Sequence, residues 1–547
     1  MQYGTKYRAL GALVAVALVA APSILMAQAS KSSRPATPHQ ATQPAASAES
    51  VLRVVPNAPL NLLDPIWTSI YITRNHGYLI YDTLFAFDES GKPRPQMVDS
   101  WTVAPDGLTW TFKLRDGLKW HDGAEVTGED CVASLKRWAK RSGVGQQLFS
   151  VVNDISAPDA KTITMHLKAP YPYVLEALAQ LSSFVPFMMP KRVAETDPYT
   201  PIHEFVGSGP FIFKQDEFVA GQKAVYVKNK AYVPRAEPPS LAAGGKVAKV
   251  DRVEWISSLK PAEAIEALIR NRVDYLEAPD PRLVSRLENR KDIVVGMTGP
   301  DPFIGLAVFN HQIPPFDKVG VRRAVMMAMD QNDYMKAALG SKKFWNTCYS
   351  VFPCASPLAT DVGSDFLKTG SIEAAKKALQ EAGYDGTPVV ILDATDIPVV
   401  AAFTKVTVDK LRKIGMKVEV RDTDWAAMAT QRADRKGWNL FHTFWAASDL
   451  RDPTQIVFSG DPVNGWFGWA DDKELEKLRS DFVMARNLDE QKMIAAKVQE
   501  RLWAIGAAAH LGEFFLPVAY RKNVEGVIIS PVQFYWNISV RNEALAE

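Results

Sequence analysis

Residues 97–138 read MVDSWTVAPDGLTWTFKLRDGLKWHDGAEVTGEDCVASLKRW, and strand and helix periods follow one another within them. Leu108, Trp110, Phe112 and Leu114 alternate with Thr109, Thr111, Lys113 and Arg115. That period of two puts the apolar side chains on one face of a half-buried strand. Asp116-Gly117 makes a turn, and His121-Asp122-Gly123 makes a second. Thr127, with Asp130 three residues on, predicts a capped helix that runs to Lys140.

Outward from this stretch, Ile163, Met165 and Leu167 alternate as another strand, and Pro172 opens a helix through Leu181. The second half alternates strand and helix. Pro261 opens a helix followed by a short strand at 273–276. A strand at 303–309 precedes a helix at 319–329. Ser371 caps a helix ended by Gly383, and a strand at 389–392 leads into a helix at 399–414. The next strand is 416–420, Asp424 caps a helix through Ala433, and 438–445 is a buried strand. Two charged helices close the series at 472–486 and 489–505. The class is α/β, and the buried strands predict parallel sheets. The Pro- and Gly-rich stretch 234–248 is the clearest internal loop.

The chain has 547 residues, 47% apolar and 23% charged, which excludes disorder and fibres and allows about three domains. Lys plus Arg number 63 against 61 for Asp plus Glu, and Lys6 and Arg8 are the surplus. Without its first 29 residues the chain is neutral, so charge argues for neither a nucleic-acid nor an anionic-membrane partner. Lys6 and Arg8, the short apolar run that follows them, and Ala27-Gln28-Ala29 read as a signal peptide over 1–29, cleaved after Ala29. No Cys lies beside the cut to carry a lipid anchor. Residues 30–50 read as a disordered tether. Cys348 and Cys354 enclose a short loop that a disulfide could close in an oxidising compartment, while two thiols without a nearby His make a poor zinc site. Cys131 reads as a small core residue.

The catalytic patterns fail on their details. Ser257-Ser-Leu-Lys260 and Lys368-Thr-Gly370 match fragments of penicillin-recognising enzymes, but the Ser-x-Asn element between them is missing, and Pro261 makes Lys260 a pre-helix residue. Gly207-Ser-Gly-Pro is not a nucleophile elbow. Gly244-Gly-Lys246 is followed by Val rather than Ser or Thr, and the eight His never take a metal-ligand spacing. No enzyme is expected, and no metal or cofactor.

The stretch 97–138 resembles the signature region of the bacterial extracellular solute-binding proteins of family 5, the dipeptide-, oligopeptide- and nickel-type receptors of ABC importers. The matching residues are Trp101, 106–109, 114–117, 121–123, Thr127, Ser134 and Arg137. Further fragments follow in the family's order: Leu63-Asp-Pro65, 81–84, 207–211, 267–274, Asn310 with Pro315-Phe316 and 321–330, and 374–384. The resemblance implies a two-lobed clamshell with an extra domain in the first lobe. The expected boundaries are 51–87, 205–305 and 520–547 for the first lobe, 88–204 for the extra domain, and 306–519 for the second lobe. A ligand is engulfed at the hinge between them.

Within that resemblance, Asp449 in the stretch Trp445 to Pro453 matches the residue that pairs with a ligand ammonium, while Asp452 beside Pro453 reads as a turn cap. The loop where dipeptide binders place a carboxylate-holding Arg is Asp393-Ala-Thr-Asp396 here. It is acidic, which suits an amine, an amide or a larger peptide. Trp445 and Trp425 offer apolar or cation–π walls, and Tyr71 and His76 are candidates from the first lobe. The implied function is a periplasmic receptor that delivers a peptide-like or cationic, amine-bearing solute to two ABC permease subunits, acting as a monomer. The alternatives are an exported hydrolase on a two-lobed scaffold and a ligand carrier read by a chemosensory receptor.

Overall fold

The computed structural model describes residues 49–299 and 301–541, so the predicted signal peptide and nearly all of the tether lie outside the described residues. Two sheets organise the rest. The first has seven strands in the order Ile293–Met297, Pro517–Arg521, Tyr275–Leu276, Val51–Val55, Arg252–Ile256, Lys223–Lys228 and Phe211–Phe213. The second has six, in the order Trp345–Asn346, Ala508–Phe514, Phe303–Phe309, Leu440–Ala446, Val389–Ala394 and Val418–Thr423. With their helices they form two α/β lobes.

Both sheets are mixed, which corrects the expectation of parallel ones. Val51–Val55 runs parallel to Arg252–Ile256 and Tyr275–Leu276, and Val389–Ala394 runs parallel to its two neighbours. The strands that carry the chain between lobes pair antiparallel. The chain leaves the first sheet at Met297, opposite Pro517 where it returns, and it enters the second sheet at Phe303, opposite Phe514 where it leaves. Passages that begin and end at one edge must run in opposite directions. The same strands correct two expected boundaries. Breaks at 305/306 and 519/520 would split Phe303–Phe309 and Pro517–Arg521, whereas each strand belongs whole to one sheet, because a ladder cannot be shared between two.

The signature stretch supplies two strands, Val98–Val103 and Thr109–Leu114, to a separate four-stranded antiparallel sheet completed by Thr162–Leu167 and Val152–Asp159, with the helix Gly128–Arg141 packed against it. Thr127 and Asp130 form a reciprocal capping box at that helix's start. Cys131, Leu135 and Trp138, spaced i, i+4 and i+7, are buried beneath it. On its other side Arg137 forms a fully buried ion pair with Asp64 at 2.8 Å, and Asp64 also accepts from the backbone of Ile66 and Ile202. The Arg of the signature and the Asp of Leu63-Asp-Pro65 are thus two halves of one contact.

Gly207 and Gly209 press against the backbone of Ile80 and Tyr81, where a Cβ at either position would overlap main-chain atoms. The helix predicted for 172–181 is confined to Val174–Leu178. The chain then turns through left-handed conformations at Ser183 and Phe184 (φ 36° and 54°), and Ser182 just before them reaches the second lobe at Asp449. Among the described residues, no helix is long and apolar enough to cross a membrane.

Candidate ligand cleft between the lobes

A cleft of about 440 Å³ lies between the two sheets, beside the paired crossings. Such a volume is ordinary for a small-molecule site. The first lobe lines it with Asn57, Ser69 and Tyr71, and the second with Asp396, Trp425, Arg432, Phe444, Trp445 and Trp466. Strand Leu440–Ala446 is central in its sheet, so its end presents Phe444 and Trp445 on a rigid base. Trp425 stacks on Phe444 with ring centres 6.3 Å apart and planes 17° from parallel. Tyr71 leans on Phe303 and Phe444 from the other lobe at 6.2 and 6.1 Å.

Four of the sequence-derived candidates therefore meet at the cleft: Tyr71, Asp396, Trp425 and Trp445. Asp396 also accepts from the backbone N of Trp425 at 2.8 Å, which anchors the start of helix Trp425–Gln431, and burial raises its carboxyl above the ordinary value.

The other three lie elsewhere. Asp449 does not line the cleft. It is 1% exposed, and its Oδ2 accepts from the Tyr71 hydroxyl at 2.8 Å and the Ser182 hydroxyl at 2.7 Å, both on the first-lobe side. Tyr71 in turn accepts from the backbone N of Ala446 at 2.6 Å, and Arg74 stands over the Tyr71 ring at 4.3 Å and donates to Ser182. Burial pushes the Asp449 carboxyl up to about 6, against the pull of Ser182 and Arg74. Asp393 sits near the end of strand Val389–Ala394 with its carboxyl against Thr404 of helix Pro398–Lys413, behind the cleft wall. The position that reads as loop in the sequence is the last inward turn of a strand.

His76 is a core residue of the first lobe. Its Nδ1 lies 2.9 Å from the Tyr226 hydroxyl, Phe213 packs edge-on at 4.9 Å, and burial pushes the ring down to about 3. It falls on the inner face of helix Tyr71–Ile80, a period the sequence reading did not apply there. Asp452 accepts from the backbone N of Thr454 at 2.9 Å, a turn cap as expected.

The sequence reading missed Arg432, Trp466, Arg74 and Ser182. Arg432 carried a legible signal. Trp425, Met428, Ala429 and Arg432 fall at i, i+3, i+4 and i+7, so Arg432 shares the apolar face of its helix.

In the second lobe Cys348 and Cys354 are joined, with Cα atoms 6.0 Å apart, and Glu513 accepts from the backbone N of Cys354 at 2.6 Å. These three residues are the one cluster of metal-ligand types among the described residues, and with both sulfurs bonded they offer no thiolate pair. Neither Cys348 nor Cys354 is expected to take up iodoacetamide in the unreduced native protein. Reduction in denaturant should add two labels beyond the one that the free Cys131 takes in denaturant alone. Labelling of both without reduction would contradict the bond.

Two lobes joined by paired crossings, with a lined cleft between them, define a receptor that encloses a solute. Comparison with known proteins agrees. The family described as "Bacterial extracellular solute-binding proteins, family 5 Middle" matches residues 92–466. The "Probable peptide ABC transporter periplasmic-binding protein y4tO" of Sinorhizobium fredii is 35% identical over 492 residues, covering 88% of this chain and 91% of the relative. A periplasmic binding protein solved with agropinic acid, from A. tumefaciens R10, superposes with a TM-score of 0.76 at 20% identity, over 90% of this chain and 99% of that one. The Helicobacter pylori periplasmic binding protein DppA, solved with the peptide STSA, gives 0.75 at 21% identity over the same shares. The chain belongs to the bacterial extracellular solute-binding proteins of family 5. It is the periplasmic substrate-binding component of an ABC importer, in a family of binding proteins rather than enzymes.

Proposed function

We propose that the chain captures a short peptide or a peptide-like small solute and hands it to two permease subunits of the inner membrane. It acts as a monomer and is exported by cleavage after Ala29. The observation that carries this reading is the aromatic-walled cleft of about 440 Å³, to which both lobes contribute side chains. Tyr71, Trp425 and Trp445 would flank the solute, and Asp396 would offer a carboxylate to an ammonium. Asp449 would act one step back, tying Tyr71 and Ser182 to the second lobe when the lobes meet, so that closure and capture share one free energy. The relatives bound to or named for peptides support the solute class.

Mass spectrometry of whatever denaturation releases from the protein purified at neutral pH tests the reading. A set of short peptides, or one peptide-like compound, is the expected result. An empty protein whose melting temperature no peptide mixture raises would overturn it.

A further inference from the structure

One stretch of the cleft wall offers only donors. Arg432 is 2% exposed, and its Nε has no hydrogen-bond partner. The indole Nε1 atoms of Trp445 and Trp466, 3% and 9% exposed, also have none. All three residues line the cleft. The indoles meet edge to face at 5.0 Å, and the Arg432 guanidinium lies 5.7 Å from the Trp466 ring. Arg432's protein partners are aromatic faces, with Phe467 nearest at 4.5 Å, and one long hydrogen bond to the Ser69 hydroxyl at 3.4 Å. No carboxylate pairs with it among the described residues. Neither cleft aspartate pairs with it: Asp396 accepts from the Trp425 backbone N through one oxygen, and Asp280 pairs with Arg282 at 2.6 Å.

A guanidinium and two indoles can donate and cannot accept. A buried charge without a counter-ion is costly and is retained where a partner supplies the opposite sign. Burial alone pulls Arg432 down to about 9.

A second crevice of about 320 Å³ extends the same character. It shares Ser69 and Trp466 with the cleft, and Lys140, Arg141 and Arg435 line it with no acidic residue among its walls. The Nε of Arg141 is also buried without a partner.

We propose that Arg432, Trp445 and Trp466 form an anion subsite that takes a carboxylate of the bound solute. The proposal rests on the reading of the cleft as a solute site and narrows it: the solute is an acid, held through its carboxylate on the second lobe beside Ser69 of the first. Of the solutes that the acidic loop suits, this excludes a simple amine and leaves one that also carries a carboxylate.

Three matched panels test it by calorimetry on the full-length mature protein stripped of endogenous solute: dipeptides with a free carboxyl, the same dipeptides as C-terminal amides, and N-acetyl amino acids. Free acids are expected to bind at least 30-fold more tightly than amides, and Arg432→Gln should abolish that preference while Arg432→Lys retains part of it. Equal binding of acids and amides would overturn the anion subsite and leave the peptide reading standing. Binding of N-acetyl amino acids without dipeptides would keep the subsite and overturn the peptide reading. Binding of no panel member would overturn both. The acid-against-amide comparison uses the unaltered protein, so it decides the question even if the Arg432 variants misfold.

Discussion

Asp449→Ala is expected to weaken solute capture roughly 100- to 4,000-fold while changing the melting temperature of the solute-free protein little. The carboxylate receives two hydrogen bonds from the opposite lobe, and Arg74 is buried nearby with Ser182 between them. Removing one partner of such a network costs about 3–5 kcal/mol when the survivors stay buried, and about 1.4 kcal/mol is a factor of ten in affinity. That penalty falls on the closed arrangement, because separated lobes let water reach Tyr71, Ser182 and Arg74. A ligand drives closure only by the difference in its affinity for the two states, so a destabilised closed state lowers apparent affinity. Asp449→Asn keeps an acceptor for both hydroxyls and should lose much less. Calorimetry with the solute identified by mass spectrometry checks both. Unchanged affinity in a folded Asp449→Ala protein would remove the interlobe role. If Asp449 instead met a ligand ammonium, acetylating the solute's amine would reproduce the loss in the unaltered protein.

Acidification is expected to destabilise the fold steeply between pH 6.5 and 4.5. Burial pushes His76, His311 and His442 down to about 3, and His121 and His510 to about 4. Each stays neutral in the folded chain while the unfolded chain takes up a proton below about 6.5. Their contribution is therefore complete above that pH and drains away as the pH falls. At pH 5 the loss is about 2 kcal/mol for each ring, roughly 10 kcal/mol together. Buried carboxyls work the other way, Asp393, Asp396 and Glu513 among them. Burial raises Asp449 to about 6 and Glu277 to about 7, so the folded chain holds protons that the unfolded chain releases, and these groups favour the fold as the pH drops. Between pH 7 and 5 they return roughly 4 kcal/mol. The net effect expected is a loss of stability on acidification. Melting curves across this range check the expectation, and a midpoint level from pH 7 to 5 would contradict it. His442→Gln should reduce the slope. Both ring nitrogens of His442 meet hydroxyls, Thr404 at 3.1 Å and Thr407 at 2.7 Å, which suits a neutral side chain.

Elements whose signals are local were legible in the sequence. The capping box at Thr127, the alternating strand through Phe112 and the helices capped by Ser371 and Asp424 need only a few adjacent residues to be recognised, and they fold as read. Strand direction was not legible, because it depends on where the chain crosses between sheets rather than on the composition of any strand. The site divides in the same way. Trp425 and Trp445 follow from the ends of their own elements. The partners of Asp449 lie 378 and 267 residues away, a distance no motif spans. Tyr71 and His76 are both candidates because they follow the Leu63-Asp-Pro65 loop, but successive turns of one helix face different surroundings, and five residues separate the cleft from the core.

The two crossings carry a mechanical consequence. Met297 faces Pro517 on one shore and Phe303 faces Phe514 on the other, and Thr298 N–H donates to the carbonyl of Leu516 between them at 3.0 Å. A pair of ribbons clamped in register at both ends resists shear and torsion far more than bending. The lobes are thus left with one soft degree of freedom, rotation about the line through both ribbons. Solutes are expected to enter and leave at the rim opposite that axis. A membrane partner that docks on the rim therefore meets an aperture of fixed orientation, whatever the cargo.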